Sequence, residues 1–153
     1  MEGQDYKGFK LGEKKAIREK EADFAALSKT VIAKLGTGWE VKFDWATIYA
    51  NSPEDQRLTL GDIFYVSFMK GLVKDVESMD AEVIEALNDA VGDKKVITFT
   101  TTKTADGDFG TGGGTYRIEF KDGVLITYKA EWSRGYPYPY NDYTIKAFVL
   151  KNC

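Results

Sequence analysis

Hydrophobic and polar residues alternate most cleanly in Thr115 to Trp132, TYRIEFKDGVLITYKAEW. Tyr116, Ile118 and Phe120 alternate with Arg117 and Glu119, and Val124, Ile126, Tyr128, Ala130 and Trp132 alternate with Leu125, Thr127, Lys129 and Glu131. A period of two is that of a strand with one buried face. A two-residue Asp122-Gly123 turn would set Phe120 against Leu125 and Ile118 against Thr127, mixing the faces. A three-residue loop over Lys121-Asp122-Gly123 instead sets Phe120 opposite Val124, Ile118 opposite Ile126 and Tyr116 opposite Tyr128. Gly123 then takes the positive φ of a bulged turn, and this is the register the sequence predicts.

Upstream, the spacing changes. Glu13 to Leu35 is built of helix formers, with Ile17, Phe24, Leu27, Val31 and Leu35 in a stripe and Gly36 as a stop. Its first turns, EKKAIREKE, carry little apolar surface and are expected to project into water. Trp39, Val41, Phe43 and Trp45 return to period two and predict a strand. Ser52-Pro53-Glu54-Asp55 has the chemistry of a helix start or a short helical turn. A capping box over Thr59 to Asp62 introduces a helix from Leu60 to Val76. Ile63 to Met69 is apolar nearly all round, so a buried strand is the alternative there, and Gly61 and Gly71 weaken the helix. Ser78 is expected to cap a helix ending at Gly92, and Lys95 to Lys103 and Tyr143 to Leu150 read as strands.

The predicted fold is α+β, an antiparallel sheet of about five strands with helices packed on one face, in the order helix, strand, two helices, four strands. Such a sheet is able to curve around a helix. Residues 1–12 read as a flexible arm and 13–153 as a single domain.

Composition narrows the chemistry. With 43% hydrophobic and 29% charged residues the chain has the makeup of a globular protein. Net charge is −3, and the four arginines, Arg18, Arg57, Arg117 and Arg134, are dispersed, which argues against a nucleic-acid partner. The apolar run at Ile63 to Met69 is too short to span a bilayer, and no membrane partner is expected. The single Cys153 fits a reducing, cytoplasmic setting. The absence of histidine removes Ser-His-Asp and Cys-His catalysis and imidazole metal sites, and one cysteine removes thiolate metal sites. No metal and no cofactor are expected. Asp106-Gly107-Asp108-Phe109-Gly110 lacks the third ligand and closing glutamate of a calcium loop. Gly110 to Gly114 precedes a strand, where phosphate-binding loops require a helix. Asp44, Glu119 and Glu131 are the carboxylates on strands, and all three alternate onto the solvent face.

The most distinctive stretch is Trp132-Ser133-Arg134-Gly135-Tyr136-Pro137-Tyr138-Pro139-Tyr140-Asn141-Asp142-Tyr143. Prolines between tyrosines favour a stiff, extended loop that presents rings at small entropic cost. The competing reading is a long connection whose tyrosines fold back over the sheet. Trp132, Arg134, Tyr136, Tyr138 and Tyr140 are the candidate binding residues. They suit a small apolar or carbohydrate ligand, or a protein partner. The function expected is a non-catalytic binding or interaction module. The alternatives are a small-molecule enzyme using carboxylate, tyrosine or lysine chemistry, and a structural or self-associating protein.

Overall fold

The computed structural model describes residues 8–102, 116–129, 138–139 and 143–153, and its architecture is α+β. The first helical region is two helices rather than one: α1 spans Leu11–Arg18 and α2 spans Glu21–Leu35. Between them Lys20 leaves helical geometry, at φ −102° and ψ 2°. The bend turns Ile17 fully inward and encloses Glu13, so α1 packs instead of projecting into water. Small residues make that approach feasible. A Cβ on Gly61 would lie 3.0 Å from the Ala16 carbonyl oxygen and 3.1 Å from Ile17 Cα. Glu13 Oε1 accepts from the Lys10 amide at 2.7 Å, tying off the start of α1.

Gly36, at φ +118°, ends α2 as expected, and β1 follows at Glu40–Phe43. The strand stops sooner than its alternation implied, because Asp44 caps α3, Trp45–Asn51, by accepting from the Thr47 amide at 3.3 Å. Trp45 therefore starts a helix, yet its ring is 1% exposed and stacks 5.4 Å from Phe43.

A short 3-10 turn, Glu54–Thr59, leads into a π-helical segment, Gly61–Phe68, and then α4, Met69–Glu77. The region is thus helical, and the buried-strand alternative falls away. The capping box does not form, since Thr59 Oγ1 donates to the Gln56 carbonyl at 2.8 Å. In a π helix the hydrogen bonds run over five residues, so side chains recur at a wider period than 3.6. Phe64, Tyr65 and Phe68 are buried along it. The next helix, α5, is Ala81–Val91 and takes Asp80 as its cap, accepting from Val83 at 3.0 Å. Ser78 donates to the Asp75 carbonyl instead, at 2.6 Å.

The sheet corrects the antiparallel expectation. Among the described residues it has four strands: β1, then β2 (Val96–Thr102), β3 (Tyr116–Phe120) and β4 (Val124–Lys129), in spatial order β1-β2-β4-β3. β1 and β2 are parallel, β2 and β4 are parallel, and only β3 and β4 are antiparallel. The helices between β1 and β2 supply the crossover that a parallel pair requires. The hairpin register is as predicted: Phe120 pairs with Val124, Ile118 with Ile126 and Tyr116 with Tyr128. Asp122 and Gly123 turn it at φ 55° and 111°. Residues 130–132 of the predicted second strand lie outside the described residues.

The expected closing strand is a helix, α6, Ile145–Asn152. Thr144 caps it, its Oγ1 accepting from the Ala147 amide at 3.1 Å. Ile145 and Val149 are buried at helical spacing, and Phe148 meets Phe120 at 4.8 Å.

Rings dominate the core. On one face of the sheet Val41, Phe43, Ile97, Phe99, Ile126 and Tyr128 are buried. Phe24 of α2 reaches Phe43 at 5.6 Å, and Phe68 lies 5.3 Å from Phe99 and 6.0 Å from Tyr128. These edge contacts join helices to sheet with geometry as well as buried area.

Candidate functional site

Along α4 and the turn before it, Phe68, Gly71, Leu72 and Asp75 recur at helical spacing and face one way. Tyr138, the one described member of the candidate binding set, fills a slot beside Phe68, Gly71 and Asp75. Its ring approaches Phe68 at 6.3 Å and Phe99 at 6.2 Å. Gly71 makes room: a Cβ there would lie 2.5 Å from Tyr138 Cγ. The Tyr138 hydroxyl donates to Asp75 Oδ2 at 2.6 Å. Trp132, Arg134, Tyr136 and Tyr140 lie outside the described residues.

Asp75 is 5% exposed, so its charge needs partners. Besides Tyr138, the Ile145 amide donates to Oδ2 at 2.8 Å and the Lys146 amide to Oδ1 at 3.2 Å. One carboxylate therefore holds α4, Tyr138 and the first turn of α6 together. Burial raises the pKa of Asp75 above the usual carboxylate value, against the opposing pull of the Tyr138 hydroxyl, the two amides and the Lys146 charge. Burial beside that carboxylate pushes Tyr138 well above an ordinary phenol. The proton accordingly stays on Tyr138 at neutral pH, and the pair acts as a hydrogen-bonded anchor.

A second constellation lies where α1, α3 and the 3-10 turn meet. The Arg57 guanidinium sits 4.1 Å from the centre of the Tyr49 ring, and its Nη1 donates to the Tyr49 hydroxyl at 3.4 Å. Phe9 covers the same ring at 4.2 Å. Partial burial, then a hydrogen bond to Glu13, raises the Tyr49 phenol, and Arg57 opposes the shift. Phe9 and Glu13 are both enclosed, so the cluster closes the seam between these elements.

Of the carboxylates placed on strands, Asp44 caps α3 and also accepts from Thr100 Oγ1 at 3.0 Å, and Glu119 is half-buried on β3. Glu131, the acidic loop Asp106 to Gly110 and the glycine run to Gly114 lie outside the described residues. Trp39 and Trp45 are both buried, and Trp39 Nε1 donates to Asn88 Oδ1 at 2.9 Å. Among the described residues no helix is long and apolar enough to cross a membrane.

Sequence reasoning missed Asp75 and the purpose of Gly71. The available signal was position: Asp75 falls on the stripe of Phe68, Leu72 and Val76, and a charge inside an apolar stripe demands a partner. No protein-family model matches the chain, no curated protein matches it, and no solved structure matches it.

Proposed function

We propose that this chain is a non-catalytic binding module whose contact surface is the tyrosine-proline segment. Trp132, Arg134, Tyr136 and Tyr140 are the contact residues, and Tyr138 is the anchor between them. The observation that supports this is the Tyr138–Asp75 hydrogen bond at 2.6 Å, which ties the middle of the segment to α4. A segment already tethered loses less freedom on binding, which is how preorganised surfaces gain affinity. Tyrosine and tryptophan rings stack on flat apolar faces, and arginine adds donors at the edge. A carbohydrate or a small aromatic ligand has that complementary form. The single Cys153 supports a reducing compartment such as the cytoplasm.

Calorimetric titration with cellohexaose and with p-cresol tests the reading. Saturable binding of either, abolished by Tyr136→Ala with Tyr140→Ala while the circular dichroism spectrum is kept, is the expected result. Absence of binding to both compounds, or binding indifferent to those substitutions, overturns it.

A further inference from the structure

β1 lies at one edge of the sheet, with β2 as its single strand neighbour among the described residues. The Glu40 amide donates to the Lys95 carbonyl at 3.0 Å and the Asp44 amide to the Phe99 carbonyl at 2.9 Å, so the even-numbered residues address β2. Alternation then turns the N–H and C=O of Val41 and Phe43 outward. Among the described residues neither forms a backbone bond on that side. Exposure agrees: Val41 and Phe43 keep 6% and 5%, whereas Ile97 and Phe99, their register partners on the interior strand β2, are 0% exposed.

The side chains that alternate with these two are charged and opposite in sign. Glu40 and Lys42 are each more than half exposed and lie 3.3 Å apart within one strand. Within the span of β1, one antiparallel register with a second copy suits both features. A two-fold axis at Val41 sets Val41 against Val41 of the second copy through their outward N–H and C=O groups, a hydrogen-bonded pair. Glu40 then falls opposite Lys42 of the second copy in the non-bonded positions, where antiparallel side chains come closest. Four charges alternate in sign around the axis. An axis at Lys42 fails twice, since it sets like charges together and calls on amides already committed to β2.

We propose that the β1 edge is a self-association surface, on which two copies pair antiparallel about Val41 and join their sheets. The occupant is a second copy because the charge pattern complements its own reverse, as an isologous contact requires. β1 is four residues long, so the pair is weak and forms at high protein concentration. The inference is independent of the ligand reading above.

Sedimentation equilibrium from micromolar to millimolar protein tests it, with Glu40→Lys and Lys42→Glu as variants. Each variant sets like charges opposite like charges in its homodimer, and circular dichroism checks that its fold is kept. We expect the wild type to approach twice the monomer mass and each variant alone to associate at least about tenfold more weakly. An equimolar mixture of the two variants should recover wild-type association, because lysines then face glutamates. Amide exchange in the peptide covering residues 39–44 should slow as the wild type associates, a readout that holds even where a variant is unstable. A wild type that stays monomeric at millimolar concentration, or whose exchange in 39–44 is indifferent to concentration, overturns the proposal. So do variants that associate as the wild type does, a mixture no tighter than its components, or masses beyond the dimer, which head-to-tail pairing of β1 with β3 would give.

Discussion

Replacing Gly71 by alanine separates two opposing effects in one helix. At a helical backbone position, alanine is favoured over glycine by about 1 kcal/mol, so propensity alone forecasts stabilisation. Packing forecasts the reverse. The new Cβ would stand 2.4 Å from Tyr138 Cβ and 2.5 Å from Cγ, distances no side chain tolerates, and the ring would have to leave the slot. Its departure forfeits a hydrogen bond to a carboxylate, worth about 1.5–3 kcal/mol, and part of the burial of a large ring, worth about 1.5–3 kcal/mol if complete. It also leaves the enclosed Asp75 with one donor fewer. The net expectation is destabilisation by about 2–4 kcal/mol, or roughly 5–15 °C in melting temperature for a domain of this size. Chemical denaturation of four proteins makes the test: wild type, Gly71→Ala, Tyr138→Gly and the double variant. In the Tyr138→Gly background the opposing Cβ is gone, and Gly71→Ala should stabilise by up to ~1 kcal/mol. The predicted coupling is about 3 kcal/mol, at the upper end for neighbouring residues. An effect of the same sign and size in both backgrounds would refute the slot.

Tyr138 also sets an alkaline limit. Its folded-state pKa lies above the ordinary value of 10.0, so its contribution is fully present below pH 10 and is lost as pH rises through the folded value. The stability gap between wild type and Tyr138→Phe should therefore hold steady up to about pH 10 and narrow as pH rises above it, as about one group's worth of linkage requires; a constant gap in urea melts above pH 10 counts against it. Gly123→Ala should cost at least ~2 kcal/mol, since it strains a positive φ. Its Cβ would also press within 2.5 Å of the Val96 carbonyl oxygen. A urea midpoint equal to that of the wild type would show the turn to be tolerant.

What was legible in the sequence follows from which interactions are local. The β3–β4 hairpin was readable to the residue because alternation and one glycine determine the register between neighbouring segments. Sheet direction was not read, although a strand followed by helices and another strand is itself the signature of a parallel crossover. Tyr143 to Leu150 reads as a strand because it is short and largely apolar, yet Ile145–Asn152 folds as a helix. Thr144 as cap and Ile145, Phe148 and Val149 at helical spacing were the overlooked cues. Gly61 and Gly71 counted against a helix when judged by propensity. Their actual partners, α1 and Tyr138, lie far away in sequence, so the benefit of a missing Cβ was invisible there. The anchor escaped for the same reason: Asp75 and Tyr138 meet only once the chain is folded.

The placement of β4 between β2 and β3 bears on how the protein is made. During synthesis β2 can join β1 early, but its other flank waits for residues 124–129, which follow the strand that ends up outermost. Until they emerge, a threonine-rich ribbon stands with one row of amides unclaimed, and the aromatic interior lacks its far wall. Pairings between such distant segments are slow to form. Closure of the sheet therefore waits for residues 124–129, and a ribosome stalled short of residue 124 would carry an adhesive half-sheet.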